Sequence, residues 1–318
     1  MADALYELKD KRVWVAGHKG MVGSALVRRL AAEDCDILTV NRHQVDLTRQ
    51  NDVDAWMQQS RPTTVFVCAA TVGGILANDQ RAADFLYENL MIEANIIKAS
   101  FDVKVEKLLF LGSSCIYPKM AAQPMSESAL LSGPLEPTNQ WYSIAKIAGL
   151  KLCEAYRKQY GCDYISAMPT NLYGPGDNFA LQSSHVLPAL MRKAHDAKLA
   201  GQRNLCVWGT GTPKREFLYV DDLADALVYL MRHYSEPETI NAGVGTDLSI
   251  RELAEQICAI VGFKGSLAFD PSKPDGTPRK LLDVSRLKRA GWRATTPLSE
   301  GLKQTYNWFL KHHEQARL

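Results

Sequence analysis

The chain has 318 residues, with 37 Lys and Arg against 35 Asp and Glu for a net charge of +2, 46% hydrophobic residues and 23% charged residues. This balance leaves no electrostatic footprint for nucleic acid or an acidic membrane surface, and no apolar run approaches the ~20 residues that span a bilayer. Met1 to Lys11 is mixed and charged, with no signal-peptide core. The seven cysteines are scattered without a C-x-x-C pair, which argues against a disulfide framework or a metal site and fits a reducing cytoplasm. Apart from Cys115, they read as small buried hydrophobes.

The chain begins with a β-rich run at Arg12–Ala16 and a predicted helix over Met21–Ala32. Strand-like segments follow at Asp36–Val40, Thr64–Cys68, Lys107–Gly112 and Tyr164–Met168. Helical periodicity separates them over Val53–Gln59, Phe85–Ser100 and Trp141–Tyr160. Near-continuous apolar strands alternating with helices predict an α/β fold: a Rossmann-type parallel sheet with helices on both faces. After Pro169 the pattern becomes irregular and is punctuated by Pro and Gly, with helices predicted over Val186–Ala200, Leu223–His233, Ile250–Val261 and Leu298–Lys311. We therefore expect residues 1–170 to form the sheet domain, with segments around 216–245 returning to it. Residues 171–318 are expected to form mainly a smaller C-terminal α/β domain.

The first strand runs into Gly17-His18-Lys19-Gly20-Met21-Val22-Gly23 and then a helix. Glycines in this context allow a tight turn and close approach of a pyrophosphate, and the helix N-terminus supplies free N–H groups. A bare tight turn is the alternative. The second strand leads to Asn41 and Arg42, where an NAD enzyme commonly carries a carboxylate for the ribose 2′-OH. Arg42 can instead clamp a 2′-phosphate, which favours NADPH; otherwise it is a solvated loop charge. Asp46 is close enough in sequence to reach the adenine.

Tyr142 and Lys146 open a predicted helix four residues apart, and so share one face. A lysine cation beside a tyrosine favours the phenolate and lowers a pKa that is ordinarily about 10. Such a pair can pass a proton to or from a carbonyl oxygen during hydride transfer. Ser113 and Cys115 follow the fourth strand, at the strand end where α/β ligands bind. Ser113 can hydrogen-bond a substrate oxygen. Cys115 can act as a base toward an activated C–H, or else it is a buried thiol in a tight loop.

With these motifs in this order, the chain resembles the extended short-chain dehydrogenase/reductase family. Leu109-Phe-Leu-Gly-Ser-Ser-Cys-Ile-Tyr-Pro118, Pro169-Thr-Asn-Leu-Tyr-Gly-Pro175 and Ser272-Lys-Pro-Asp-Gly-Thr-Pro-Arg-Lys280 resemble its GDP-L-fucose synthase branch, from about Arg12 to Phe309. The resemblance implies that GDP-4-keto-6-deoxy-D-mannose is epimerised at C3 and C5 and then reduced at C4 with NADPH. It assigns the carbon-acid proton transfers to Cys115 and His185, the proton for the C4 oxygen to Tyr142 and a contact with the nicotinamide ribose to Lys146; Ser113 with Tyr142 is suited to stabilise the enolate or oxyanion. It places Leu111, Gly112, Ser113, Ser114, Pro169, Thr170, Asn171, Leu172 and His185 along the cofactor. Lys193, Trp208, Arg215, Asp275 and Lys280 would meet the nucleotide part of the substrate. Read from the residues alone, Lys193 could be a solvated helix charge, Trp208 a core aromatic and Arg215 a salt-bridge partner of Glu216.

The resemblance also implies a homodimer formed through the helices at Phe85–Ser100 and Trp141–Tyr160. Two positions depart from the pattern. Thr71 stands where the branch commonly has a basic residue, and Lys19 stands where it often has Arg. A nucleotide-sugar 4,6-dehydratase would want an Asp-Glu pair after the serine position, where this chain has Cys115-Ile116. A 4-epimerase would not need Cys115 and His185. A protein that binds NADPH without turnover would tolerate loss of Tyr142 or Lys146.

Overall fold

The computed structural model describes residues 4–273 and 275–313. In chain order, the first half contains β1 (Arg12–Ala16), α1 (Met21–Leu30), β2 (Asp36–Leu38), α2 (Gln50–Ser60), β3 (Thr64–Val67), α3 (Ile75–Gln80), α4 (Ala82–Asp102), β4 (Lys107–Leu111), α5 (Gln140–Tyr160) and β5 (Asp163–Pro169). The second half contains β6 (Asn171–Tyr173), α6 (Val186–Leu199), β7 (Asn204–Trp208), β8 (Lys214–Arg215), β9 (Phe217–Tyr219), α7 (Val220–His233), β10 (Ile240–Ala242), β11 (Leu248–Ser249), α8 (Ile250–Val261), β12 (Ser266–Asp270), β13 (Arg279–Lys280), α9 (Ser285–Arg289) and α10 (Leu298–His312).

Residues alternate across a strand, and β1 shows what this does to the core. Val13 and Val15 pack with Leu26 of α1 and Leu223 and Leu227 of α7 on one face. Trp14 and Ala16 pack with Ile96 and Ile97 of α4 and Leu150 of α5 on the other. A strand buried on both faces belongs inside a sheet. β1 lies within a six-stranded sheet of order β10-β5-β4-β3-β1-β2. Every pairing in it is parallel. The strand order reverses beside β1, so the crevice above its carboxyl end lies at a topological switch point. A third core joins α6, α8 and α10 around Leu190, Leu253, Ile257 and Phe309. The small sheets β12-β7 and β11-β8-β13 complete the second half.

The expected sheet and its helices are present, with shifted ends. β2 stops at Leu38 rather than Val40, and α4 begins at Ala82 rather than Phe85. β7 and β10 were not predicted. β7 alternates exposed and buried residues, the signature of a half-buried strand. β10 is too short to show a period of its own and is placed by pairing with β5. The alternation of β7 also corrects the expectation for the cysteines: Cys206 is exposed, and Cys35, Cys68 and Cys162 are only partly buried. No helix among the described residues is long and apolar enough to cross a membrane.

Candidate active site

A cleft of about 730 Å³ opens above the carboxyl ends of the central strands, between the sheet and the second half of the chain. Every residue singled out from the sequence as a site residue lines it. That volume lies within the usual range for small-molecule sites.

At one end, β1 passes into the glycine turn. Gly17 has φ 88, and a Cβ there would stand 2.7 Å from the Ala69 backbone. A Cβ on Gly23 would strike the Gly17 carbonyl. Both positions therefore require glycine. α1 starts at Gly20 with no side-chain cap, leaving its N-terminal amides for another acceptor. Lys19 and Arg42 are exposed on the rim. Asp46 turns its carboxylate onto Thr48, accepting from the amide at 3.0 Å and the hydroxyl at 2.7 Å, and these bonds hold it below the usual carboxylate range. Thr71 donates its hydroxyl to Glu88, and its backbone exchanges two bonds with the Asn89 side chain. Thr71 thus ties the β3 loop to α4.

In the middle of the cleft, Ser113 stands two residues beyond β4 and accepts from the Cys115 amide at 3.4 Å, capping the tight turn Ser114–Ile116. Cys115 is buried, and its carbonyl accepts from the Ser143 hydroxyl of α5 at 3.0 Å. These bonds fix the turn against the start of α5, where Tyr142 stands. Lys146, one turn further on, has its Nζ 2.8 Å from Glu93 Oε1 and donates to the Leu111 carbonyl at 3.2 Å. The Lys146 ammonium lies 5.8 Å from the centre of the Tyr142 ring.

The expected lowering of the Tyr142 pKa by Lys146 is not found: burial pushes the phenol well above its ordinary value, and Cys115 and Glu93 add to the rise. Lys146 is paired with Glu93, whose own carboxyl is pushed up by burial. Glu93 was not recognised in the sequence. Its signal there is a lone acid within the apolar run Ile92-Glu93-Ala94-Asn95-Ile96-Ile97. His185, the residue preceding α6, opens onto the water of the cleft. Protein crowds the ring closely enough to push the imidazole below its usual value, and the Lys280 charge adds to this.

At the far end, Trp208 is 48% exposed, so it is not the core aromatic that remained open from the sequence. Lys193 lies over its ring at 4.6 Å and donates to the Cys206 carbonyl at 3.4 Å; burial lowers the Lys193 pKa. It is not a freely solvated helix charge. Arg215 donates to the carbonyls of Lys214 and Asp275, at 2.8 and 3.4 Å. It does not pair with Glu216, whose buried carboxylate accepts from the amides of Val244, Gly245 and Leu282. The Glu216 carbonyl accepts from Thr170 and Asn171, fixing the chain where it leaves β5. Asp275 accepts from the Thr210 amide and hydroxyl, both at 2.8 Å. Lys280 sits among Cys115, Arg215 and Glu136, and burial draws its pKa down.

Residues 13–243 match the NAD dependent epimerase/dehydratase family. The chain is 61% identical over 308 residues to GDP-L-fucose synthase of Sinorhizobium fredii, covering 97% of this chain and 98% of that one. It is 52% identical over 320 residues to GDP-L-fucose synthase of Escherichia coli, covering 98% and 100%. A solved GDP-L-fucose synthetase of Naegleria fowleri bound to NADP superimposes with a TM-score of 0.91 at 29% identity, covering 100% of this chain and 99% of that chain. The chain belongs to the NAD-dependent epimerase/dehydratase family and, within it, to the GDP-L-fucose synthases.

Proposed function

We propose that the chain converts GDP-4-keto-6-deoxy-D-mannose to GDP-L-fucose by epimerisation at C3 and C5 followed by reduction at C4. One observation carries this reading: Cys115, His185, Tyr142 and Lys146 converge on one cleft whose far end carries Lys193, Trp208, Arg215 and Lys280. The sheet half, residues 1–170 with the segments that return to it, holds the cofactor. The second half holds the nucleotide sugar.

The near end fits NADPH. Gly17 and Gly23 leave no room for side chains, α1 offers uncapped amides, and Lys19 and Arg42 bring positive charge to the rim. When bound, NADPH supplies the hydride for C4. Tyr142 supplies the proton for the C4 oxygen, and its raised pKa keeps it protonated and ready to give one. The C4 ketone acidifies the C–H bonds at C3 and C5, because the resulting carbanion is an enolate. Cys115 takes a proton from one face, and His185 returns one to the other, which inverts the centre. Ser113 and Tyr142 donate to the enolate oxygen. Lys193, Arg215 and Lys280 meet the diphosphate, and Trp208 with Asp275 meets the nucleoside.

The protein works as a homodimer. Tyr87 of α4 and Trp141, Ile144 and Tyr160 of α5 support this reading, as exposed apolar side chains on the two long helices. The absence of a cysteine framework supports a cytoplasmic location. The deciding assay mixes the purified chain with NADPH and GDP-4-keto-6-deoxy-D-mannose and follows loss of NADPH absorbance. Stoichiometric oxidation with GDP-L-fucose as product is expected, faster with NADPH than with NADH. No oxidation with this ketosugar would overturn the reading.

A further inference from the structure

We infer that Gly74 is a positioning residue: the segment leading into His185 docks on its amide and in the space a side chain would fill, and this docking sets where the imidazole stands. The inference rests on the proposed role of His185 in proton transfer. The imidazole makes no hydrogen bond among the described residues, so its place is set by the backbone on either side. On one side α6 follows directly and is rooted in the third core through Leu187, Leu190 and Met191. On the other side stand Ser183 and Ser184.

The seat is built from the loop after β3. Asn78, 5% exposed, donates to the carbonyls of Gly73 and Gly74 at 2.7 and 3.1 Å. Thr71 ties the start of the same loop to α4. Held in this way, the Gly74 amide donates to the Ser183 carbonyl at 2.9 Å. A Cβ on Gly74 would stand 2.7 Å from the Ser184 carbonyl oxygen and 3.4 Å from that of Ser183. Gly74 has φ −66 and ψ 178, a conformation open to any residue. Glycine is therefore required here by the close approach of another chain segment, not by a turn.

The docked segment is itself a compact unit. Asn178 donates to Ser183 Oγ and accepts from the Ala180 amide, both at 3.0 Å. The Ala180 carbonyl accepts from the amides of Ser183 and Ser184 at 3.1 and 2.9 Å. Phe179 is buried in the third core, against the rings of Trp308 and Phe309. The turn thus belongs to the second half of the chain and is joined to the sheet half through Gly74. Cys115 stands on the sheet half, just beyond β4. The Gly74–Ser183 bond therefore sets the imidazole of one half against the thiol of the other. A displacement of about 1 Å at such a group can cost on the order of 10²-fold in rate. Proton transfer at C3 and C5 uses His185, and hydride transfer to C4 does not, so the two should respond differently when the docking is disturbed.

The test compares wild type, Gly74→Ala and Asn178→Ala. Solvent deuterium incorporation at C3 and C5 is followed by NMR with NADP in place of NADPH, so that no hydride competes. Products formed with NADPH are then analysed for configuration at C3 and C5. The His185 ring is observed through its 13Cε1 resonance, assigned with His185→Gln. In Gly74→Ala the incorporation should fall by about 10–10²-fold, the His185 resonance should shift and NADPH Kd should change little. A larger share of the sugars reduced at C4 should keep the starting configuration at C3 or C5, because hydride transfer outruns the slowed epimerisation. Asn178→Ala loosens the docked turn from its other side and should move the same readouts in the same direction by less.

A folded Gly74→Ala with wild-type incorporation or an unmoved His185 resonance overturns the inference. So does an equal loss of incorporation and reduction with unchanged product configuration, which marks a general loss of structure. Should Gly74→Ala not fold, hydrogen exchange in the wild type decides. The Gly74 amide should be protected, and exchange at the rate of an open loop would remove the docking bond and the inference with it. If the wild type binds NADPH but leaves the ketosugar unchanged, the substrate reading fails, while the His185 resonance and the Gly74 amide still judge the docking.

Discussion

At the scale of single residues, the two kinds of chemistry separate by the groups they need. Tyr142→Phe removes the acid for the C4 oxygen and should cut reduction by about 10²–10⁴-fold while leaving solvent deuterium exchange at C3 and C5 measurable by NMR. Cys115→Ser should do the reverse, abolishing exchange while NADPH binding persists; normal exchange in that variant would remove Cys115 from the base role. His185 adds a pH signature. Crowding by the protein and the Lys280 charge hold its pKa below the ordinary 6.5, so the protonated imidazole is lost as pH rises through that lowered value. The bound diphosphate would offset Lys280 and raise the His185 pKa. The exchange limb in kcat should therefore fall at higher pH than the limb in kcat/KM, since the two report the bound and free enzyme. Coincident limbs would show that the Lys280 charge does not act on His185 in the free enzyme.

At the scale of elements, turns and helix ends carry the constraints. The Gly23 position abuts the Gly17 carbonyl, so Gly23→Ala must displace the turn. Loss of NADPH binding is expected, with a stability cost of about 1–3 kcal/mol from overpacking, seen as a lower denaturant midpoint at unchanged m-value. α8 shows a purely structural device. The Ser249 hydroxyl accepts from the Glu252 amide at 3.1 Å while the Glu252 carboxylate accepts from the Ser249 amide at 2.7 Å, a reciprocal cap. Ser249→Ala should cost ~1 kcal/mol in chemical denaturation and leave kcat unchanged. These features were unequally visible in sequence. The glycine turn was readable because close backbone approach selects one residue type. β7 was readable in principle from its alternation. β10 was not, because its three residues carry no period and it exists only through pairing with β5.

At the scale of the whole molecule, the two halves share a core. Leu223, Leu227 and Leu230 of α7 pack on the same sheet face as Leu26 and Leu30 of α1, and Ile240 of β10 lies in that cluster. A fragment ending at residue 170 would expose this face. At ~1.5–3 kcal/mol for each large apolar side chain returned to water, the loss exceeds the ~5–15 kcal/mol by which domains are stable. The fragment 1–170 should therefore lack cooperative unfolding in circular dichroism, whereas the full chain should unfold cooperatively.

The amino-acid order by itself determined the alternation of strands and helices, the glycine turn, and the placing of Ser113, Tyr142 and Lys146 after the fourth strand. Local periodicity and backbone sterics act over a few residues and can be read there. The tertiary structure decided which charges meet. It set Glu93 against Lys146 across two helices, turned Glu216 away from Arg215, left Trp208 open to the cleft and brought β10 into the sheet. Ion pairing, desolvation and strand pairing join residues far apart in the chain, and no local spacing announces them.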